Sequence, residues 1–261
     1  MDGYQQHFEK KMNLVPSVTL SGLRDFPAHW HTHCELLFVF SGEITVGINR
    51  AQKRIGSGGL ALACSNAVHY YKGGLGQWLL CIFPPSLLGL STWNPPFREF
   101  IIDASQVSES VKKACGQLSC LVRDSANPFL IRGAVSTLCG LLEDSLPQAG
   151  EAASPPDSDV QSALDYIGRN YRAALTLDLV ANACNVSKYH LSRKFSSYTG
   201  MSFPEYVNAL RIGYSLTQLR NTNKSITEIA FDSGFESLRT FHRSFRLAKG
   251  ISPSKIRKQR P

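Results

Sequence analysis

Residues 179–203 read "LVANACNVSKYHLSRKFSSYTGMSF", and residues 229–253 read "IAFDSGFESLRTFHRSFRLAKGISP". The two stretches are one pattern written twice. Ser187 falls with Ser237, Arg193 with Arg243, Phe195 with Phe245, Gly200 with Gly250 and Ser202 with Ser252, at a constant offset of 50. Upstream of the serines the offset becomes 49, where Leu177, Val180, Ala181 and Cys184 align with Ile226, Ile229, Ala230 and Ser233. Both sets follow i, i+3, i+4, i+7, one face of an amphipathic helix, so the second copy has gained Glu236 in its turn. Each unit reads as a short helix, a tight turn and a second helix opened by a serine N-cap, which is a helix-turn-helix. Asn185 and Gly234, at the ends of the first helices, are residue types that tolerate the left-handed backbone such a turn requires.

On each second helix, Leu191 and Phe195, or Phe241 and Phe245, lie four apart and are expected to face inward. That leaves Lys188, Tyr189, Ser192, Arg193 and Ser196 outward in the first copy, and Arg239, Thr240, His242, Arg243 and Arg246 in the second. Such a face can enter a DNA major groove, with arginine gripping a guanine edge and its neighbours holding phosphate. Singly, each of these is an ordinary solvated side chain; arginine at the same outward position of both copies sets the pair apart. Tyr189 leaves two readings open, outward toward DNA or packed on its own domain. Between the copies, Pro204 to Arg220 reads as an amphipathic helix with Tyr206, Leu210, Tyr214 and Leu216 inward, which would set the spacing of the two units.

Charge follows the same division. Residues 1–150 hold 12 Lys+Arg against 11 Asp+Glu, and residues 151–261 hold 16 against 9, so the halves carry +1 and +7 of the net +8. From Ser187 onward the balance is 14 against 4, the footprint of a surface that meets phosphates. The stretch between the halves, "PQAGEAASPPDSD" at 147–159, reads as a linker. With 43% hydrophobic and 18% charged residues the composition excludes a disordered chain and a membrane protein. An N-terminus without an apolar core and the lack of a long apolar run place the protein in the cytosol as an expectation. Seven cysteines, at 34, 64, 81, 115, 120, 139 and 184, form no C-x-x-C pair and read as reduced, buried thiols.

The C-terminal pattern resembles the DNA-binding domain of the AraC/XylS family of transcription regulators. The residues that carry the resemblance are "S-K-Y-H-L-S-R-K-F-x4-G-M-S-F-x2-Y" from Ser187, "L-R-I" at 210–212, "S-I-T-E-I-A-F-x2-G-F-E-S" from Ser225 and "F-H-R-S-F-R-x3-G-I-S-P" from Phe241. The resemblance implies two helix-turn-helix units joined by a long helix and reading two adjacent major-groove segments on one face of double-stranded DNA. The chain departs at Asn185, where that family usually has glycine.

In the N-terminal half, "HWHTHCELLFVFSGE" at 29–43 gives His29-x-His31-x3-Glu35-x6-Gly42, the last two residues before Glu43 reading as a Ser-Gly turn. Downstream, Gly58-x5-Cys64-x-Asn66-x2-His69 echoes its second half. These resemble the two cupin motifs, with Cys64, Asn66 and Gly73 in place of the usual proline, glycine and asparagine. Alternating or apolar runs at 44–48, 60–63 and 78–83 support a β-barrel. On one straight strand His31 and Glu35 would lie about 13 Å apart, so convergence requires a bend at Thr32–Cys34. With that bend His29, His31, Glu35 and His69 can meet in the barrel mouth, either as ligands of a divalent metal or as polar groups lining an effector pocket. His33 is expected exposed in the turn. Two helical stripes follow, Val107 to Val122 and, capped by Asn127 with Pro128 at its first position, Leu130 to Leu142; they close the barrel's core or meet a second subunit.

The expected architecture is a two-domain α+β chain: a cupin-like β-barrel with two following helices over 1–146, a linker over 147–159, and an all-α domain of two helix-turn-helix units over 160–261. The expected function is a sequence-specific regulator, not an enzyme, whose barrel senses a small molecule, often a sugar or other metabolite where the family resemblance holds, and which acts as a homodimer away from membranes. The alternative is a metal-dependent cupin enzyme, a dioxygenase or isomerase, fused to a DNA reader.

Overall fold

A computed structural model of the chain describes residues 17–19, 26–97, 100–124, 127–148 and 157–258. The chain forms two compact units, the first made mainly of residues up to Asp157 and the second mainly of residues from Ser158 on; most of the linker, 149–156, lies outside the described residues, as do the N-terminus and the last three residues.

The first unit is one antiparallel sheet of seven strands: β1 Ser17–Thr19, β2 Phe26–His29, β3 Cys34–Ile48, β4 Ala51–Gly56, β5 Leu60–Ala63, β6 His69–Phe83 and β7 Ile101–Ile102. Its spine is the β3–β6 ladder, which runs from Cys34 opposite Phe83 to Ile48 opposite His69. β5 takes the free edge of the first half of β3, and β4 that of the second. The three runs expected as strands are therefore segments of one sheet. The Ser41–Gly42 turn is not there. β3 continues through it, with register shifts on either side, because the apolar residues before and after both find partners on β6. Gly42 has φ 80°, and a Cβ on it would collide with the Leu75 carbonyl. Glycine there lets two backbones cross; it does not reverse the chain.

Period-2 alternation sorts the side chains of this sheet. Leu36, Phe38, Leu79, Cys81 and Phe83 form one fully buried face, and Leu37, Val39, Trp78, Leu80 and Ile82 the other. The first face is covered by α1 (Glu109–Arg123) and α2 (Pro128–Ser145), through Val111, Cys115 and Leu118 and through Val135, Leu138 and Leu142. Each such side chain contributes about 1.5–3 kcal/mol on full burial. Asn127 caps α2 by accepting from the Phe129 N–H at 2.9 Å, with Pro128 at the first helical position. Leu130, expected on the inward stripe, is exposed because the covered part of the helix begins a turn later; Cys139 is buried instead. The thiols are all free and five are buried, but Cys120 is exposed and Cys184 half-buried.

The second unit is helical: α3 Ser158–Asn170, α4 Leu177–Ala183, α5 Lys188–Thr199, α6 Phe203–Asn221, α7 Ile226–Asp232, α8 Leu238–Lys249 and α9 Pro253–Lys258. α6 serves two cores. Its first half brings Tyr206 to Phe195, ring centroids 5.3 Å apart, and its second half brings Ile212 and Leu219 to Phe235, Phe241 and Phe245. Tyr206 and Leu210 are buried as expected; Tyr214 and Leu216 are only half-buried, and Val207, Ile212 and Leu219 take the inward places. Between the two cores Arg211 donates to the carbonyls of Tyr171 and Ala173 at 2.7 and 2.9 Å, which ties the loop after α3 to the middle of α6. Among the described residues no helix is long and apolar enough to cross a membrane.

Candidate functional site

Two helix-turn-helix units are present. α4 and α7 each end in a residue with left-handed backbone, Asn185 at φ 56° and Gly234 at φ 90°. The amide after each turn bonds back into its first helix, Val186 to the Ala181 carbonyl at 3.0 Å and Phe235 to that of Ala230 at 3.2 Å. The serines open the second helices: Ser187 Oγ accepts from the His190 N–H and Ser237 Oγ from the Thr240 N–H, both at 3.2 Å. Leu191, Phe195, Phe241 and Phe245 are completely buried.

The outward faces differ between the copies. On α5, Tyr189 is 90% exposed, so its ring is not packed on its own unit; Ser192 and Arg193 are exposed beside it. Lys188 is also exposed, but its ammonium meets Asp178 at 2.7 Å, which raises its pKa. Lys194 and His190 both reach Asp159 on α3, at 2.8 and 3.0 Å. Lys194 first, then His190, hold that carboxyl below its ordinary range. On α8, Arg239, His242, Arg243 and Arg246 are exposed, and among the described residues these three arginines have no acidic partner. Thr240 is half-buried and its hydroxyl accepts from Ser237, so it belongs to the cap. The Asp159 tie was not foreseen, because it joins residues 31 and 35 positions apart.

In the first unit the chain bends at Thr32–His33, as the spacing required, and Glu35 enters β3. His33 in that bend is half-buried. His29 on β2 sits opposite His69 on β6, and ligand atoms of His29, His31, Glu35 and His69 all lie within 4.8 Å of one another. Glu35 Oε2 is 3.2 Å from His31 Nε2 and 3.4 Å from His69 Nε2. Glu35 Oε1 accepts from the Tyr71 hydroxyl at 2.7 Å. Tyr71 escaped the sequence reading, although its position two residues after His69 on a strand puts it on the same face.

Each imidazole turns its Nδ1 to a backbone carbonyl: His29 to Pro27 at 3.1 Å, His31 to His33 at 3.0 Å and His69 to Ala67 at 2.9 Å. A carbonyl only accepts, so Nδ1 carries the proton and Nε2 of a neutral ring offers its lone pair to the cluster. Burial, then the neighbouring His69, lower the His29 pKa well below its ordinary value. Burial alone would raise that of Glu35, but His69, His31 and His29 outweigh it and hold the carboxyl well below the usual range.

Residues 180–259 match the helix-turn-helix domain family. An uncharacterized HTH-type transcriptional regulator of Staphylococcus aureus (strain MSSA476) is 32% identical over 105 residues, which covers 40% of this chain and 14% of that protein. The bifunctional transcriptional activator/DNA repair enzyme AdaA of Bacillus subtilis (strain 168) is 33% identical over 103 residues, 39% of this chain and 49% of that protein. The chain thus spans less than half the length of these curated relatives, and the match lies in one region. Among solved structures, apo ToxT from Vibrio cholerae superposes over 97% of this chain and 100% of its own, with TM-score 0.51 and 12% identity, a likeness of fold. With two capped helix-turn-helix units, a shared bridging helix, the matched family model and the relatives in sequence, the C-terminal unit is an AraC-type helix-turn-helix DNA-binding domain.

Proposed function

We propose that the chain is a transcription regulator in which residues 160–261 read double-stranded DNA, residues 147–159 form a linker, and residues 1–146 form a cupin-like unit that senses a small molecule and pairs two copies in the cytoplasm. The observation that carries the reading is the repeated, capped helix with arginine outward at the same position, Arg193 and Arg243. Tyr189, Ser192 and Arg193 are the base-reading set of α5, and Lys188 stands beside them at the helix start. Arg239, His242 and Arg243 form the facing set of α8, with Thr240 holding the cap. Effector binding alters how two such units engage a repeated site. The alternative, a cupin enzyme fused to a DNA reader, finds no support in the relatives, which match through the helix-turn-helix region.

Footprinting tests this directly. A purified protein is expected to protect discrete promoter segments at physiological salt, with protection lost on moving to scrambled sequence; uniform or absent protection would end the reading.

A further inference from the structure

On the helix-covered side of the first unit's sheet lies a cleft of about 320 Å³, lined by Phe40, Gln77, Trp78, Ser119 and Arg123. It forms where β3 shifts register against β6 between Val39 and Ser41, beside the last turn of α1. The shift leaves Phe40 half-buried, its ring 5.1 Å from that of Phe38. Trp78 and Ser119 are buried, whereas Gln77 and Arg123 are exposed. An enclosed, partly aromatic floor with a few polar groups at its rim is the build of a small-molecule site.

Two of those polar groups have donors to spare. Ser215 in α6 and Ser233 at the end of α7, both buried, donate their hydroxyls to carbonyls three and four residues back, at 2.9 and 2.6 Å. Ser119, only 2% exposed, does not. Its Oγ accepts from Arg123 Nη2 at 3.1 Å, and among the described residues its own proton has no acceptor. Arg123 Nε reaches the Ser119 carbonyl at 3.4 Å, so the cation covers the carbonyl end of α1 that would otherwise repel an anion. Its Nη1 has no partner among the described residues, and the guanidinium pairs with no carboxylate among them. Buried donors are almost always satisfied. A guanidinium fork beside a free hydroxyl matches the two oxygens of a carboxylate, which accept and never donate.

We propose that this cleft binds a small organic anion, a carboxylate on one flat apolar body. Arg123 Nη1 and the Ser119 hydroxyl hold the two carboxylate oxygens, and the body lies against Phe40. The ligand joins the end of α1 to the β3–β6 ladder, and it is the species to which the unit responds; that last step rests on the sensing role proposed above, whereas the binding itself does not.

The full chain is titrated by calorimetry with phenylacetate, with its uncharged amide and with acetate. One equivalent of phenylacetate per chain is expected, and the amide and the ringless acetate should each bind about 10-fold more weakly or worse. Arg123→Gln and Ser119→Ala, with circular dichroism confirming that each remains folded, should each weaken phenylacetate by about 10-fold or more. No saturable phenylacetate binding, equal binding of the amide, or unchanged affinity in both folded variants would overturn the site. Binding to a random-sequence DNA duplex is measured on the same samples. Phenylacetate binding without duplex binding sinks the DNA-reading proposal and leaves the cleft standing; duplex binding without phenylacetate binding does the reverse. On a segment protected in footprinting, phenylacetate should change the affinity of the wild type and leave that of Arg123→Gln unchanged. No change in the wild type overturns the effector role alone.

Discussion

The two helix-turn-helix units share a skeleton and differ in what they show to solvent. Both end their first helix in a left-handed residue, both restart on a serine, and both bury two large apolar side chains of the second helix. Yet α5 has its lysines and His190 engaged by Asp178 and Asp159, while the arginines of α8 stand free of acids among the described residues. The buried positions stay apolar in both copies, Leu191 answering to Phe241 and Phe195 to Phe245, while the outer faces differ. Under the proposed function, Arg239 and Arg246 of α8 would hold phosphate beside Arg243, and on α5, whose lysines are balanced by acids, the exposed Tyr189 and Arg193 would discriminate.

The largest test of the shared skeleton is Phe195→Ala against Phe245→Ala. Both side chains are completely buried, and each truncation should cost about 3–5 kcal/mol in denaturant unfolding. A loss below 1 kcal/mol in only one would show, on the same scale, that the cores are not equivalent. Next come the outer faces. Arg193→Ala and Arg243→Ala should each weaken specific binding by about 1–3 kcal/mol if the contact is a bidentate base pair reader. Arg239→Ala and Arg246→Ala should weaken binding across all sequences and flatten the salt dependence by about one unit each, whereas Lys188→Ala leaves the slope in place. Equal slopes for every variant would erase the division of labour.

The turns come third. Gly234→Ala should cost about 1–2 kcal/mol for the left-handed backbone and more because the new Cβ would press on the backbone of Arg172. Asn185→Gly should be neutral or mildly stabilising, and thermal melts separate the two. The smallest effect belongs to Asp159. Its folded pKa is depressed by Lys194 and His190, so its contribution is present above the unfolded value of about 3.9 and fades as pH falls below it toward the folded value. Being partly solvent-exposed, the tie is worth about 1 kcal/mol or less. The melting difference between wild type and Asp159→Ala should therefore shrink on acidification below about pH 4; a difference that grows would contradict the sign.

Legibility followed the range of the interaction. The helix-turn-helix units could be read because their signals are local and stated twice: a cap, a turn residue, and apolar residues at helical spacing. The bend at Thr32–His33 was readable too, since strand geometry alone forbids His31 and Glu35 to meet without it. Ser41–Gly42 was misread because a turn and a bulge use the same residues, and only the partner strand decides between them. Tyr71 and Asp159 were missed because each acts on residues distant in sequence, and nothing local marks a side chain for that task. Leu216 and Tyr214 gave way to Ile212 and Leu219 because α6 faces two cores, and no single stripe describes a helix with two inward sides.

That helix has a further meaning. With its 19 residues from Phe203 to Asn221 serving one core near its start and the other near its end, α6 sets the rotational phase between α5 and α8. One residue inserted between Leu210 and Ile212 would swing one head about 100° relative to the other and advance it about 1.5 Å. Seven inserted residues would nearly restore the phase while lengthening the span by about 10 Å. The chain is in this sense a two-pronged gauge, and α6 holds its setting.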